Sequence, residues 1–174
     1  MDREAFETLA RYNAWMNRKL LDAASTLDDA SRKEDRGLTF GVVPASIHGV
    51  FNHVLLGDRV WMGRFTGAEL APGEIGPGGV RSLGQELYAD YDALRHARFA
   101  MDEALQRWVS ALTPARLQAP LRRGKGPAMP LWCSVLHMFN HQTHHRGQVH
   151  AMMTRIGLQA PVTDLFLMPE EEEP

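Results

Sequence analysis

The chain has 174 residues, 44% of them hydrophobic, so it has the length of one ordinary domain and enough apolar residues to bury a core. Its formal net charge of -2 at pH 7 excludes a strongly basic, phosphate-binding surface, and we expect no nucleic-acid partner. The single cysteine, Cys133, excludes an internal disulfide. The charged N-terminus lacks a signal-peptide core, and no apolar run approaches the roughly 20 residues that span a bilayer, so we expect a cytoplasmic protein without a membrane segment.

The first predicted helix covers about Asp2 to Ala24, where apolar residues recur at helical spacing. Asn13 and Asn17 also fall on its apolar face, where an amide destabilises the fold unless its hydrogen bonds are made. Two interpretations stay open. The amides meet the helix ends of neighbours or waters, or one of them supports a metal-bound histidine. The polar residues 28–42 lack periodicity and predict a connection.

The second predicted helix runs from about Pro44 to Phe65, and its apolar residues cover most of its surface, which is typical of a buried helix. His53 falls within the broad apolar arc and His48 on the more polar side, so the pattern favours His53 as an inward histidine only weakly. Asp58 also points into the apolar arc. A buried carboxylate needs a cation or hydrogen-bond donors, so we expect a structural ion pair, with a contact to an imidazole as the alternative.

The third predicted helix extends from Ser82, which has capping-box spacing to Gln85, to about Ala111. It follows the glycine- and proline-rich residues 67–81, which predict a loop. A run of charged residues on this helix predicts a solvated, salt-linked face rather than a pair of metal ligands: Asp92, Arg95, His96, Arg98 and Asp102.

The C-terminal third predicts a connection, a fourth helix and a tail. Thr113-Pro114 predicts a short helical turn, and the glycine- and proline-rich residues 120–130 predict a long connection with a short extended piece. The fourth helix ends before Gly157, which suits a left-handed cap. We expect the apolar residues between 162 and 167 to pack against the bundle. Residues 170–174 form an acidic tail, so residues 1–169 are predicted to make one domain.

Four long amphipathic helices without a strong strand pattern predict an all-α four-helix bundle, in which metal sites are built from inward side chains of facing helices. The long connections after the first and third predicted helices leave room for a topology other than simple up-and-down. The absence of a Glu-x-x-His motif argues against a carboxylate-bridged di-iron bundle.

The fourth predicted helix holds five of the eight histidines. His141 and His145 lie one turn apart inside its apolar arc, whereas His137 and His144 fall at or beyond the edge and His150 lies nearer the opposite side. Two such imidazoles and one histidine from a facing helix would give a metal three nitrogen ligands and an open position, which is typical of catalytic coordination. On spacing alone, a buried histidine pair of this kind is as often structural as metal-binding.

Three segments together resemble the DinB family of the DinB/YfiT-like bundle superfamily, and the likeness extends over nearly the whole chain. They are YNAWMN (12–17), IHGVFNHVLLGDRVW (47–61) and FNHQTHHRGQVH (139–150), of which the last is the most specific. The resemblance implies a four-helix bundle that forms a homodimer and holds a divalent metal, nickel or zinc, on His53, His141 and His145. Trp15, on the outer side of the first predicted helix, also suggests a dimer contact.

Superfamily members include thiol-dependent transferases or isomerases and metal-dependent hydrolases, so the resemblance implies a metal-dependent enzyme. We predict the thiol-dependent transferase type, in which a metal lowers the pKa of a bound thiol. Cys133 lies off the histidine face of the fourth predicted helix, so the thiol would arrive as a low-molecular-weight cosubstrate. Two alternatives stay open: a stress-linked metal-binding or sensing protein without turnover, and a hydrolase that uses metal-bound water.

Overall fold

The structure, a computed structural model, describes residues 2–37, 45–67, 82–122 and 126–169. Four long helices form the body of the protein: α1 (Arg3–Ser25), α3 (Ile47–Thr66), α4 (Tyr91–Ser110) and α6 (Leu131–Arg155). Two short helices, α2 (Asp29–Lys33) and α5 (Pro114–Gln118), lie in the connections. Strands β1 (Pro120–Arg122) and β2 (Ala128–Pro130) form an antiparallel hairpin before α6, and a 3-10 turn covers Leu165–Leu167. The predicted helical bundle is confirmed.

The four long helices form a ring in which α1 packs against α4 and α6, and α3 packs against the same two helices. Buried apolar residues form two clusters along the bundle. The first apolar cluster includes Met16, Leu20, Val50, Leu94 and Met152, and the second includes Phe6, Phe65, Leu105, Val109 and Leu131. Helices α1 and α6 therefore run from the second cluster to the first, and α3 and α4 run the opposite way. The topology is up, down, down, up, and the connection between α3 and α4 joins opposite ends of the bundle.

A layer of buried polar side chains separates the two apolar clusters, and each long helix contributes to it. We call it the polar layer; its members are Asn13, Asn17, Asp58, Arg98, Asp102, Gln142 and Arg146. The two arginines balance the two carboxylates in charge, as buried ions require. Arg98 and Asp102 were expected on a solvated face, and that prediction is wrong: they are 2% and 4% exposed.

The start of α4 differs from the prediction. Asp90, rather than Ser82, is the N-cap, and its carboxylate accepts a hydrogen bond from the Ala93 N–H at 2.8 Å. Residues 82–90 instead run beside α3, because the N–H groups of Leu87 and Tyr88 both donate to the Asn52 side-chain oxygen. Asn52 of α3 thus accepts hydrogen bonds from N–H groups that would lie in the predicted first turns of α4.

The other helix boundaries lie close to the predictions. Helix α3 begins after Ser46, whose hydroxyl accepts from the Gly49 N–H, while the predicted start at Pro44 lies outside the described residues. The connection predicted for residues 28–42 contains α2, which Asp28 caps. The turn at Thr113-Pro114 is confirmed as α5, and Gly157 has the expected left-handed conformation, with φ of 76°.

The C-terminal apolar residues do not pack as predicted. Val162, Leu165, Phe166 and Leu167 are 59%, 42%, 95% and 57% exposed. A polar contact instead joins the segment to α1, where the Tyr12 hydroxyl donates to the Thr163 carbonyl. The predicted acidic tail, residues 170–174, lies outside the described residues. Within the described ranges, no helix is both long and apolar enough to cross a bilayer.

Candidate metal centre

Three histidines from two helices converge at mid-height in the bundle, beside the polar layer. His53 of α3 and His141 and His145 of α6 present ring nitrogens that all lie within 4.8 Å of one another. The Nε2 atom of His141 is 3.3 Å from that of His53 and 3.1 Å from that of His145. In a tetrahedral centre with bonds of about 2.0–2.1 Å, two bound nitrogens are about 3.3 Å apart. The spacing of the imidazoles therefore fits one shared ion.

The opposite ring nitrogens orient two of these imidazoles. His53 Nδ1 is 2.6 Å from the Leu83 carbonyl oxygen, and His145 Nδ1 is 2.6 Å from the Gln148 side-chain oxygen. Both oxygens only accept hydrogen bonds, so each Nδ1 carries the proton and each Nε2 keeps its lone pair. The two lone pairs face His141 Nε2, which can donate a proton to only one of them. This donor set suits a cation, and partners of this kind commonly support metal-bound histidines.

The surroundings keep the three imidazoles neutral. Burial, with the neighbouring His145 as the next cause, lowers the pKa of His141 to about 3. Burial lowers the pKa of His145 to about 4, against the opposing effect of its hydrogen bond to Gln148. Burial also lowers the pKa of His53. Metal binding requires deprotonated imidazoles, so at neutral pH protons compete little for these nitrogens.

His141 packs against the backbone of α3 at Gly57, which lies one turn after His53. A Cβ atom at Gly57 would come within 3.1 Å of His141 Cε1 and 3.6 Å of its Nδ1. That Nδ1 is buried and has no hydrogen-bond partner among the described residues. The Nδ1 side of the His141 ring is therefore held by close packing against a residue without a side chain, rather than by a polar contact.

Two members of the polar layer are sequence neighbours of the α6 histidines. Gln142, the neighbour of His141, donates to Asp58 of α3, and Arg146, the neighbour of His145, donates to Asn13 of α1. These contacts tie α6 to two other helices at the level of the histidines. The Gln142–Asp58 contact joins α6 to α3, the two helices that carry the three imidazoles.

The polar residues left open by the sequence now have partners. Asp58 forms the expected ion pair with Arg98, at 2.6 Å, which confirms the structural interpretation. The amides of Asn13 and Asn17 donate to Asp102, at 3.1 and 3.0 Å. Neither interpretation of the two asparagines is correct, because their shared partner is a carboxylate in the interior of α4.

The remaining histidines lie outside the cluster. His48 Nε2 is 2.8 Å from the Tyr88 carbonyl oxygen and 3.1 Å from a Glu86 carboxylate oxygen. His137 and His144 are exposed, with ring centroids 6.3 Å from His141 and 4.9 Å from His145 respectively. The structure thus brings together His53, His141 and His145, the three histidines that the sequence favoured.

Three residues that support the imidazoles were not predicted from the sequence. Gln148 follows His145 by three residues on the same helix, so helical spacing alone could have identified it. Helical spacing could not identify the Leu83 carbonyl or the space at Gly57, because neither a main-chain oxygen nor a missing side chain changes the pattern of apolar residues. Both follow from how the 82–90 segment and α6 pack against α3.

Comparison with known proteins agrees with the fold. The model of the DinB family matches residues 1–174. The crystal structure of a DinB-like protein from Bacillus cereus superimposes with a TM-score of 0.69, at 21% sequence identity, over 91% of this chain and 95% of that one. At this identity the likeness shows the shared fold alone. No curated protein matches the chain.

Proposed function

The chain belongs to the DinB family, and we propose that it is a metal-dependent enzyme of the thiol-dependent transferase type. His53, His141 and His145 are the proposed ligands of one divalent cation. The observation that carries the proposal is the convergence of three Nε2 atoms, two of which must keep their lone pairs because their Nδ1–H groups are engaged.

Three protein ligands leave a fourth position open, which distinguishes a catalytic from a structural centre. A divalent cation held by the three histidines would act as a Lewis acid and lower the pKa of a thiol or water molecule bound at the open position. The protein's own contribution is orientation: Leu83 and Gln148 fix two imidazoles, and Gly57 lets the third approach α3. Burial keeps all three rings neutral and ready to bind.

Cobalt substitution offers the sharpest test of the transferase proposal. We expect the protein to bind one cobalt ion and the d–d spectrum to change when a small thiol such as 2-mercaptoethanol is added. Cys133→Ser is the matched control, because an unchanged response would show that the added thiol, rather than the protein's own, reaches the ion. Protein that binds no cobalt would overturn the whole proposal.

Two other results would favour a different function for the same metal centre. A bound cobalt ion whose spectrum no thiol, electrophile or ester perturbs would contradict the enzymatic proposal and favour a stress-linked metal-binding or sensing protein. Ester hydrolysis without any added thiol would instead favour the hydrolase.

The homodimer and the choice between nickel and zinc are proposals that rest on the family resemblance. Sedimentation equilibrium of the untagged protein measures the first, with a mass of two chains as the expected result. Metal analysis after purification from cells grown with both ions measures the second. A monomer, or a different bound metal, would overturn the corresponding proposal and leave the geometry of the histidines unaffected.

A further inference from the structure

A cleft of about 240 Å³ opens between the β1–β2 hairpin, α3 and α6. Most of its lining residues are apolar: Trp61 of α3, Leu121 and Met129 of the hairpin, and Pro127. Helix α6 adds Cys133, Ser134 and His137, of which Cys133 and His137 lie one helical turn apart. Leu121 and Met129 are directly paired across the two strands, so their side chains project from the same face of the hairpin. The hairpin therefore presents an apolar surface toward the two helices.

The cleft adjoins the metal centre through His137. The His137 ring lies 5.2 Å from that of Trp61, in an edge-to-face arrangement, and 6.3 Å from that of His141. His137 precedes His141 by one turn of α6, which corresponds to about 6 Å along the helix axis. A molecule in the cleft would therefore lie about one helical turn from the three metal-facing imidazoles.

The lining indicates the chemistry of the occupant. Among the described residues that line the cleft there is no acid, lysine or arginine, so none of them offers an ionic group a permanent opposite charge. A cavity of about 150 Å³ with apolar walls is sufficient for benzene, so about 240 Å³ accommodates one substituted ring. Trp61 is only 6% exposed and already stacks with Phe65, so it contributes little accessible ring surface. Exposed His137 provides the aromatic surface against which such a ring can pack face to face or edge to face.

We propose that this cleft binds an uncharged molecule, or the uncharged part of one, that carries a single aromatic ring, and holds it beside the metal centre. The inference rests on the proposed function in one respect: the ring would belong to the substrate that reacts there. Binding in the cleft itself needs no metal, because none of the residues that line the cleft is a proposed metal ligand.

The chain's single cysteine provides a built-in reporter, because half-buried Cys133 lies within the cleft. The experiment follows alkylation of Cys133 by iodoacetamide, by intact mass, with and without benzyl alcohol as the probe. We expect saturating benzyl alcohol to slow alkylation at least tenfold in both metal-loaded and metal-free protein. Benzoate, which has the same ring and a negative charge, should protect much less.

Two matched variants locate the protection. Met129→Asp places a charge in the wall of the cleft at a residue that is 50% exposed, and should abolish protection by benzyl alcohol. Leu165→Asp makes the same change at a residue 42% exposed that does not line the cleft, and should leave protection intact.

The result separates this inference from the proposed function. No protection of the wild type up to the solubility limit of benzyl alcohol, or equal protection in Met129→Asp, would overturn the assignment of the cleft even if metal binds. Protection without metal retention would support the cleft and overturn the proposed function.

Discussion

Gly57→Ala should weaken metal binding while strengthening the helix that carries it. The new Cβ atom would lie 3.1 Å from His141 Cε1, whereas two carbon atoms prefer a separation of about 3.5–4.0 Å, so the ring must move by about half an ångström. Metal sites tolerate departures of only about 0.2 Å in bond length. We therefore expect metal affinity to fall by about tenfold to a hundredfold, the range typical of lost support around a ligand.

The metal-free protein should respond in the opposite direction. Alanine is favoured over glycine inside a helix by about 1 kcal/mol, so the free energy of unfolding of the metal-free variant should rise by up to that amount. Competition titration against a coloured chelator measures the affinity, and chemical denaturation measures the stability.

Gly147→Ala is the control for this substitution. A Cβ atom there meets nothing within 4 Å, so the variant should gain helix stability without losing metal affinity. Gly57→Ala protein that folds and binds metal as tightly as the wild type would refute the packing of His141 against α3.

Three further predictions address the ligands, their support and the polar layer. His145→Ala should abolish metal retention by dialysed protein, whereas His144→Ala should retain it; equal loss in both would break the assignment. Gln148→Leu removes the acceptor at His145 Nδ1 and should lower metal affinity about tenfold, whereas Gln148→Glu, which keeps an acceptor, should lose much less in the same titration. Burial raises the pKa of Asp58 from 3.8 to about 6, so folding favours its protonated form. The stability of the wild type relative to Asp58→Asn should therefore fall by up to about 3 kcal/mol as pH rises from about 4 to about 6, and a difference independent of pH would contradict the burial of an ionisable carboxyl.

The bundle could be predicted because each long helix carries an apolar pattern that depends only on its own sequence. The start of α4 could not, since the Asn52 side chain takes the N–H groups of Leu87 and Tyr88, and a competing partner 35 residues away is invisible to local spacing. Phe166 shows the converse error: an apolar residue predicts burial only if a surface exists to cover it, and this one is 95% exposed.

Arg98 and Asp102 show where charge patterns mislead. Residues at i and i+4 on a helix suggest a surface ion pair, yet positions 98 and 102 continue the stripe that joins buried Leu94 to buried Leu105. The carboxylate of Asp58, already expected in the core, required a cation, and Arg98 supplies it.

The candidate site could be predicted more fully than the residues that support it. His141 and His145 stand out because both polar rings fall on an apolar arc one turn apart. The choice of His53 over His48 could not be made firmly from the pattern, because α3 is apolar on most sides. The structure separates the two histidines: His53 Nε2 lies 3.3 Å from His141 Nε2, whereas His48 Nε2 lies 2.8 Å from the Tyr88 carbonyl oxygen and outside the cluster.

The central claim is that imidazoles from two separate helices hold one cation, and metal analysis of untagged protein tests it most directly. The account predicts one divalent ion per chain in the wild type and in His48→Ala, and almost none in His53→Ala. An ion retained by His53→Ala and lost from His48→Ala, or a wild-type protein that holds no ion after exposure to nickel and zinc, would contradict it.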